Sequence, residues 1–127
     1  MITIKVSPGE LIDKITILKL KNKFIQNENQ LKNINMELDI LLPILKKNNL
    51  DTNEFEQLTD ELYNINNKLW EIEDNIRDKE RLSDFGEEFV KLARDVYFTN
   101  DKRSEIKLDI NKKFGSEIVE VKSYEEY

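Results

Sequence analysis

The stretch FEQLTDELYNINNKLWEIEDNI, residues 55–76, decides the architecture. Its apolar residues Phe55, Leu58, Leu62, Ile65, Leu69, Ile72 and Ile76 alternate in spacings of three and four. That period lays a single apolar seam along a helix, as in coiled-coil packing, for about three heptads. So narrow a seam has to be covered by other helices. Upstream, Ser7-Pro8-Gly9-Glu10 has the form of a helix start. Ser7 suits the cap, Pro8 the first helical position, and Glu10 completes a capping box. The apolar set Leu11, Ile15, Leu18, Ile25 continues, after a shift, as Leu31, Ile34, Leu38, Leu41, Leu45, with Asn22 and Asn29 interrupting it. This reads as one helix, about 50 Å long, that Pro43 should kink or end near Leu42.

Asp51 with Glu54 offers a second capping box ahead of the seam helix. Downstream, Ser83 is a candidate cap for a third helix with the stripe Phe85, Phe89, Leu92, Val96, then Ile106, Ile110, Phe114, and Gly115 supplies the stop. Ile2, Ile4 and Val6 alternate with polar residues as in a short strand, and residues 117–121 have the same character. The expected fold is mainly α: an antiparallel bundle of about three long helices in one domain, residues 1–127. The spacing allows a short two-stranded β clasp of the termini.

Composition narrows the chemistry. Of the 127 residues 36% are charged, while Gly and Pro number three and two. Without His there is no His base, Ser-His-Asp triad or His-ligated metal. Without Cys there is no disulfide, thiolate nucleophile or zinc–thiolate site. No Gly-rich phosphate loop is present. The net charge of −6 is uneven, with eight Lys and five acids in residues 1–50 and twelve bases and twenty-one acids thereafter. Such a balance speaks against duplex nucleic acid as a partner. The longest apolar run, residues 40–45, is far short of the ~18 residues of a membrane span. No membrane association and a cytoplasmic location are the expectations.

Three places depart from a plain bundle. On the seam helix, Glu71, Asp74 and Asp78 share a face, and Glu71 with Asp74 is a candidate pair for Mg²⁺ or Mn²⁺. A solvated face with a Glu73–Arg77 pair is the plain alternative. The second place is residues 94–103, where the third stripe turns polar for a turn. The break has three readings: two shorter helices with Thr99 or Asn100 capping the second, a buried network setting register, or an anion held by Arg94 and Arg103. The third is residues 7–14, a helix start with a Gly able to approach an anion closely, or capping alone with Glu10 and Asp13 answering the helix dipole.

At these places the chain resembles a known family. SPGELIDKITILKLK (7–21), LWEIEDNIRDKE (69–80), LARDVYFTND (92–101) and GSEIVEVKSYEEY (115–127) are similar to motifs of small bacterial proteins classed as a domain of unknown function. The resemblance implies a helical fold and a bacterial or phage-related source, and brings no activity or catalytic residue with it. GELIDKITILKLKNKF also resembles the first helix of the all-helical chorismate mutases, although Lys14, Lys21 and Lys32 stand here with no Arg. Glu71-x-x-Asp74 is similar to half of the Mg²⁺ motif of helical nucleoside triphosphate pyrophosphatases, and Asp95 or Asp101 would have to supply the other half.

Two functions follow as expectations. The first is a self-associating helical module, a homodimer with a role in protein interaction or scaffolding, whose surface is Tyr63, Trp70 and Phe98 beside Tyr97. It needs no cofactor. The alternative is a groove between helices for a small anionic or metal-bound nucleotide-type ligand, with Arg77, Arg94, Tyr97, Asn100 and Arg103 on the ligand and Glu71 and Asp74 on Mg²⁺ or Mn²⁺. A catalytic form would use the ion for phosphoester or pyrophosphate hydrolysis, the catalytic residues being unknown.

Overall fold

The computed structural model describes residues 1–116 and Val121. Among them are four helices and no strand: α1 (Pro8–Phe24), α2 (Glu28–Lys47), α3 (Asn53–Arg81) and α4 (Glu87–Phe114). The fold is thus mainly α and a helical bundle, with four helices where three were expected. The long first helix divides in two. Residue 25 leaves helical geometry at φ −81°, ψ 135°, and Asn27 begins α2 by accepting a hydrogen bond from the Gln30 amide. No Gly or Pro marks this break; an Asn cap alone makes it. Pro43, conversely, sits inside α2 without ending it. It and Asp39, whose carbonyl it leaves without an amide, are both exposed, so water can serve that carbonyl. The β clasp is not formed on its N-terminal side, where residues 1–6 are exposed and have no regular structure. Its other half, 117–121, lies outside the described residues apart from Val121.

The caps correct the sequence reading in two further places. Ser7 does cap α1, its hydroxyl accepting from the Glu10 amide at 3.2 Å. The Asp51–Glu54 box does not form, because Thr52 is the N-cap of α3 and makes no side-chain cap bond. Ser83 belongs to the turn after α3, in the left-handed region at φ 52°, and Gly86 begins α4. Gly115 ends α4 in the left-handed region, as expected. Helix α4 runs unbroken through residues 99–103, which removes the two-helix reading of that polar turn.

α1 packs against each of the other three helices, and α3 and α4 pack along one another. The latter two are antiparallel, with Phe55 against Phe114 at one end and Lys79 against Glu88 at the other. Leu11, Ile12, Ile15 and Leu18 of α1 join Ile34 and Leu38 of α2, Leu62 of α3, and Ile106 and Ile110 of α4 in the core. Seam residues Phe55, Leu62 and Ile72 are buried, and Leu58 and Ile65 pack on the same core. Because Ile12, Thr16 and Leu20 are buried along with Leu11, Ile15 and Leu18, α1 is covered nearly all round.

Gly9 lets α4 come this close. A Cβ at Gly9 would lie 2.5 Å from the Lys107 carbonyl oxygen and 2.8 Å from Asn111 Oδ1. Gly9→Ala therefore has to push two backbones apart, and we expect a loss of about 1–3 kcal/mol, read from urea unfolding. An unchanged midpoint would contradict this contact.

The α3–α4 turn carries the clearest titration. The Gly86 amide, and then the Lys79 ammonium, hold the Asp84 carboxyl below its ordinary value of 3.8. Glu88, and then Asp84, raise Lys79 above 10.5. The Asp84 contribution is thus present above pH 3.8 and lost as pH falls through its lowered value; that of Lys79 is complete below pH 10.5 and lost as pH rises through its raised value. An NMR titration should place the Asp84 midpoint below 3.8 and move it only part-way back in Lys79→Ala, since the Gly86 amide remains.

Candidate functional site

The centre of the bundle holds a polar cluster built on Asp13. This residue stands in α1 between Ile12 and Ile15 and is 1% exposed. Asn66 Nδ2 of α3 donates to Asp13 Oδ1 at 2.9 Å, and Arg103 Nε of α4 donates to the same oxygen at 2.9 Å. Arg103 Nη2 donates to Oδ2, making the pair bidentate. Thr16 Oγ1 donates to the Asp13 carbonyl at 2.7 Å and accepts from Asn66 Nδ2 at 2.9 Å. Lys107, 8% exposed, places Nζ 2.8 Å from Glu10 and 3.9 Å from Asp13. A turn further on, Asn111 Oδ1 accepts from the Gly9 amide at 2.7 Å.

Arg103, Lys107 and Asn111 recur every fourth residue, so α4 presents one polar stripe to the first two turns of α1. This accounts for the polar turn in the α4 pattern: Arg103 points inward because Asp13 meets it there. It also fills the start of α1. The Gly9 amide is taken by Asn111 and the Glu10 amide by Ser7. Asp13 is not an exposed answer to the helix dipole but a buried ion-pair partner. Sequence reasoning missed Asp13, Thr16, Asn66, Lys107 and Asn111 as one group. A partial signal was there: Asp13 lies on α1 beside Ile12 and one turn from Ile17, within a run of apolar residues that also holds Glu10, Lys14 and Thr16.

Beside this cluster a groove of about 370 Å³ opens between α1, α3 and α4. Its apolar part is Ile17 and Leu20 of α1 with Leu69 of α3. Asn66, Trp70, Glu73 and Asp74 line it from α3, and Asn100 and Arg103 from α4. Phe24 stacks on Trp70 with centroids 5.4 Å apart and holds the indole. Four residues singled out from the sequence therefore meet here: Trp70, Asp74, Asn100 and Arg103.

The others lie elsewhere. Glu71 is exposed and outside the lining. Arg77 pairs with Glu73 at 3.4 Å on the surface. Arg94 lies over the Phe98 ring at 5.9 Å, and Tyr97 packs on Phe98 at 4.8 Å, both aromatics 42% exposed. Arg94 and Arg103 are nine residues apart and so leave α4 on opposite sides. Tyr63 is half-buried on α3 and does not line the groove. Among the described residues no group of three or more acidic side chains is placed to hold a metal ion, and no helix is long and apolar enough to cross a membrane.

A family of unknown function, DUF6165, matches residues 2–127. The chain belongs to that family. No curated protein and no solved structure matches it. Membership in DUF6165 agrees with the expected resemblance to a family of unknown function and assigns no chemistry to the groove.

The Asp13 cluster gives a direct test. Asp13→Ala takes from Arg103 the carboxylate that it holds through two donors, while Lys107 keeps Glu10 at 2.8 Å, and should cost about 3–5 kcal/mol. The double variant Asp13→Leu/Arg103→Met removes both charges together and should recover most of that loss in chemical denaturation. A double variant no better than the single would show that the pair is not what Asp13→Ala disrupts.

Proposed function

We propose that the chain binds a small polar ligand in the groove between α1, α3 and α4. One observation carries this reading: Trp70 and Asp74 of α3 meet Asn100 and Arg103 of α4 around a single groove of about 370 Å³. That volume is in the range of small-molecule sites, roughly 300–1,000 Å³. The lining has their usual make-up too, with an apolar floor, an aromatic ring and a few polar groups. All of these side chains stand on helices, and Arg103 is held from beneath by a buried carboxylate, so little order has to be gained on binding. Of the two carboxylates expected to hold Mg²⁺ or Mn²⁺, only Asp74 lines the groove. The reading is therefore one of binding, and no hydrolytic step is built on it.

A second reading, a self-associating interaction module, is supported by the outward face of α4. Arg94, Tyr97 and Phe98 form an exposed aromatic–arginine cluster, the residue types enriched at interfaces. Light scattering at micromolar concentration decides it: a dimer mass that falls in Phe98→Lys supports the module, and a monomer mass overturns its self-association.

Trp70 is the chain's single tryptophan and lines the groove, so its fluorescence reports occupancy there. We expect at least one class among nucleotides, nucleotide sugars, chorismate, small dianions and amines to shift its emission saturably, with or without Mg²⁺. The same ligand at 100 times its Kd should stabilise the fold by about 2.7 kcal/mol. Asn100→Ala should weaken the response without lowering Tm. If Trp70 stays silent and Tm constant across the panel, the groove is not a ligand site.

A further inference from the structure

The charges around the groove fix the sign of what it can hold. Asp13 and Glu10 of α1 face Arg103 and Lys107 of α4, two acids against two bases in one cluster. Arg103 brings no net charge to the groove, because its Nε and Nη2 are bound to the carboxylate beneath it. Glu73 is met by Arg77 at 3.4 Å. Asp74 is in no ion pair among the described residues, and it lines the groove.

The α3 side of the groove has a matching order. Asn66, Trp70 and Asp74 stand at i, i+4 and i+8, a single stripe along the helix. Asn66 is 5% exposed and its amide nitrogen is already engaged by Asp13 and Thr16. What it has left to offer a ligand is its carbonyl oxygen, an acceptor that takes no hydrogen bond among the described residues. The stripe thus reads acceptor, aromatic ring, acceptor. A ligand that fills the groove strips water from Asp74, and a carboxylate so desolvated is costly unless it gains a donor. A phosphate or carboxylate there would add repulsion instead. An ammonium or guanidinium group gives donors to both acceptors and is attracted by the indole between them.

Resting on the reading of the groove as a ligand site, we infer that its ligand carries a positively charged amine or guanidinium group, bound along Asn66, Trp70 and Asp74. The anionic ligand expected from the sequence relied on Arg77, Arg94 and Arg103; the first two do not line the groove, and Arg103 is paired with Asp13.

Agmatine, which carries both cationic groups, is the probe, with inorganic phosphate and citrate as anionic counterparts, each titrated against Trp70 emission at physiological ionic strength. Agmatine should give a saturable change and the two anions none. Asp74→Asn, an exposed substitution that leaves the core intact, should weaken agmatine about tenfold or more, the share of a charge-assisted hydrogen bond. Glu80→Gln, an exposed acid outside the groove, should leave it unchanged. A saturable response to phosphate or citrate with none to agmatine overturns the cationic assignment and leaves the groove reading standing. Agmatine binding that Asp74→Asn does not weaken overturns the assignment as well. Silence from all three probes and from the wider panel overturns both.

Discussion

The bundle depends on one carboxylate taken almost wholly out of water. Asp13 is enclosed by α1, α3 and α4, and it is tolerable there only because donors from the two neighbouring helices converge on it. In so apolar a place a charge cannot be left half-satisfied, since removing it from water costs several kcal/mol before any partner is counted. Asn66 and Arg103 reach it together in one axial setting of the helices. A slide of either α3 or α4 by one turn would strand the acid and bury a neighbour's donors. The interaction acts less as a source of net stability than as a selector of register, a task the smooth apolar faces of Leu, Ile and Val cannot do alone.

From that requirement the rest of the packing follows. A helix carrying a buried acid on one side and Leu11, Ile15 and Leu18 on others has to be covered nearly all round, and α1 is, with Glu10, Lys14 and Lys19 left exposed. Helices α3 and α4 form the long antiparallel pair that takes one side of it, while α2 lies against another with Ile34 and Leu38 inward. The Asp13–Arg103 bond draws α4 towards the start of α1, where only a residue without a side chain fits against the Lys107 carbonyl. Gly9 is that residue, and its amide is then near enough for Asn111 to accept from it. Ion pair, close approach and capping are one constraint seen at three successive turns of α4.

The parts of this that could be read from the sequence are those fixed by local rules. The three-four alternation from Phe55 to Ile76, the Ser7 cap and the Gly115 stop each depend on a few neighbouring residues, and each is present. The break after α1 was not legible, because α1 ends at Ile25 and Asn27 caps α2 with no Gly or Pro beside them, and the apolar stripe resumes after a shift. Pro43 does not end its helix, for the opposite reason: a rule about helix interiors yields when the residue with the orphaned carbonyl is exposed to water. Of the groove, the sequence showed Trp70, Asp74, Asn100 and Arg103 as unusual residues. It could not show that they meet, nor that Arg77 and Arg94 leave their helices elsewhere. It could not show that Asp13 binds Arg103 either, since those two lie ninety positions apart along the chain.

That long-range pairing changes what Arg103 means. Read alone, an arginine where a stripe should be apolar suggests an anion site. Read with Asp13, it is a structural cation already answered, and its place in the groove lining becomes a consequence of holding α4 to α1. In the proposed ligand site, recognition then passes to α3, where Asn66 is turned by the same cluster so that its nitrogen is spent and its oxygen is left. One buried acid thereby sets both the register of the helices and the charge of the groove they enclose: it engages Nε and Nη2 of Arg103 and the amide nitrogen of Asn66, and leaves Asp74 as the lining charge that is in no ion pair among the described residues.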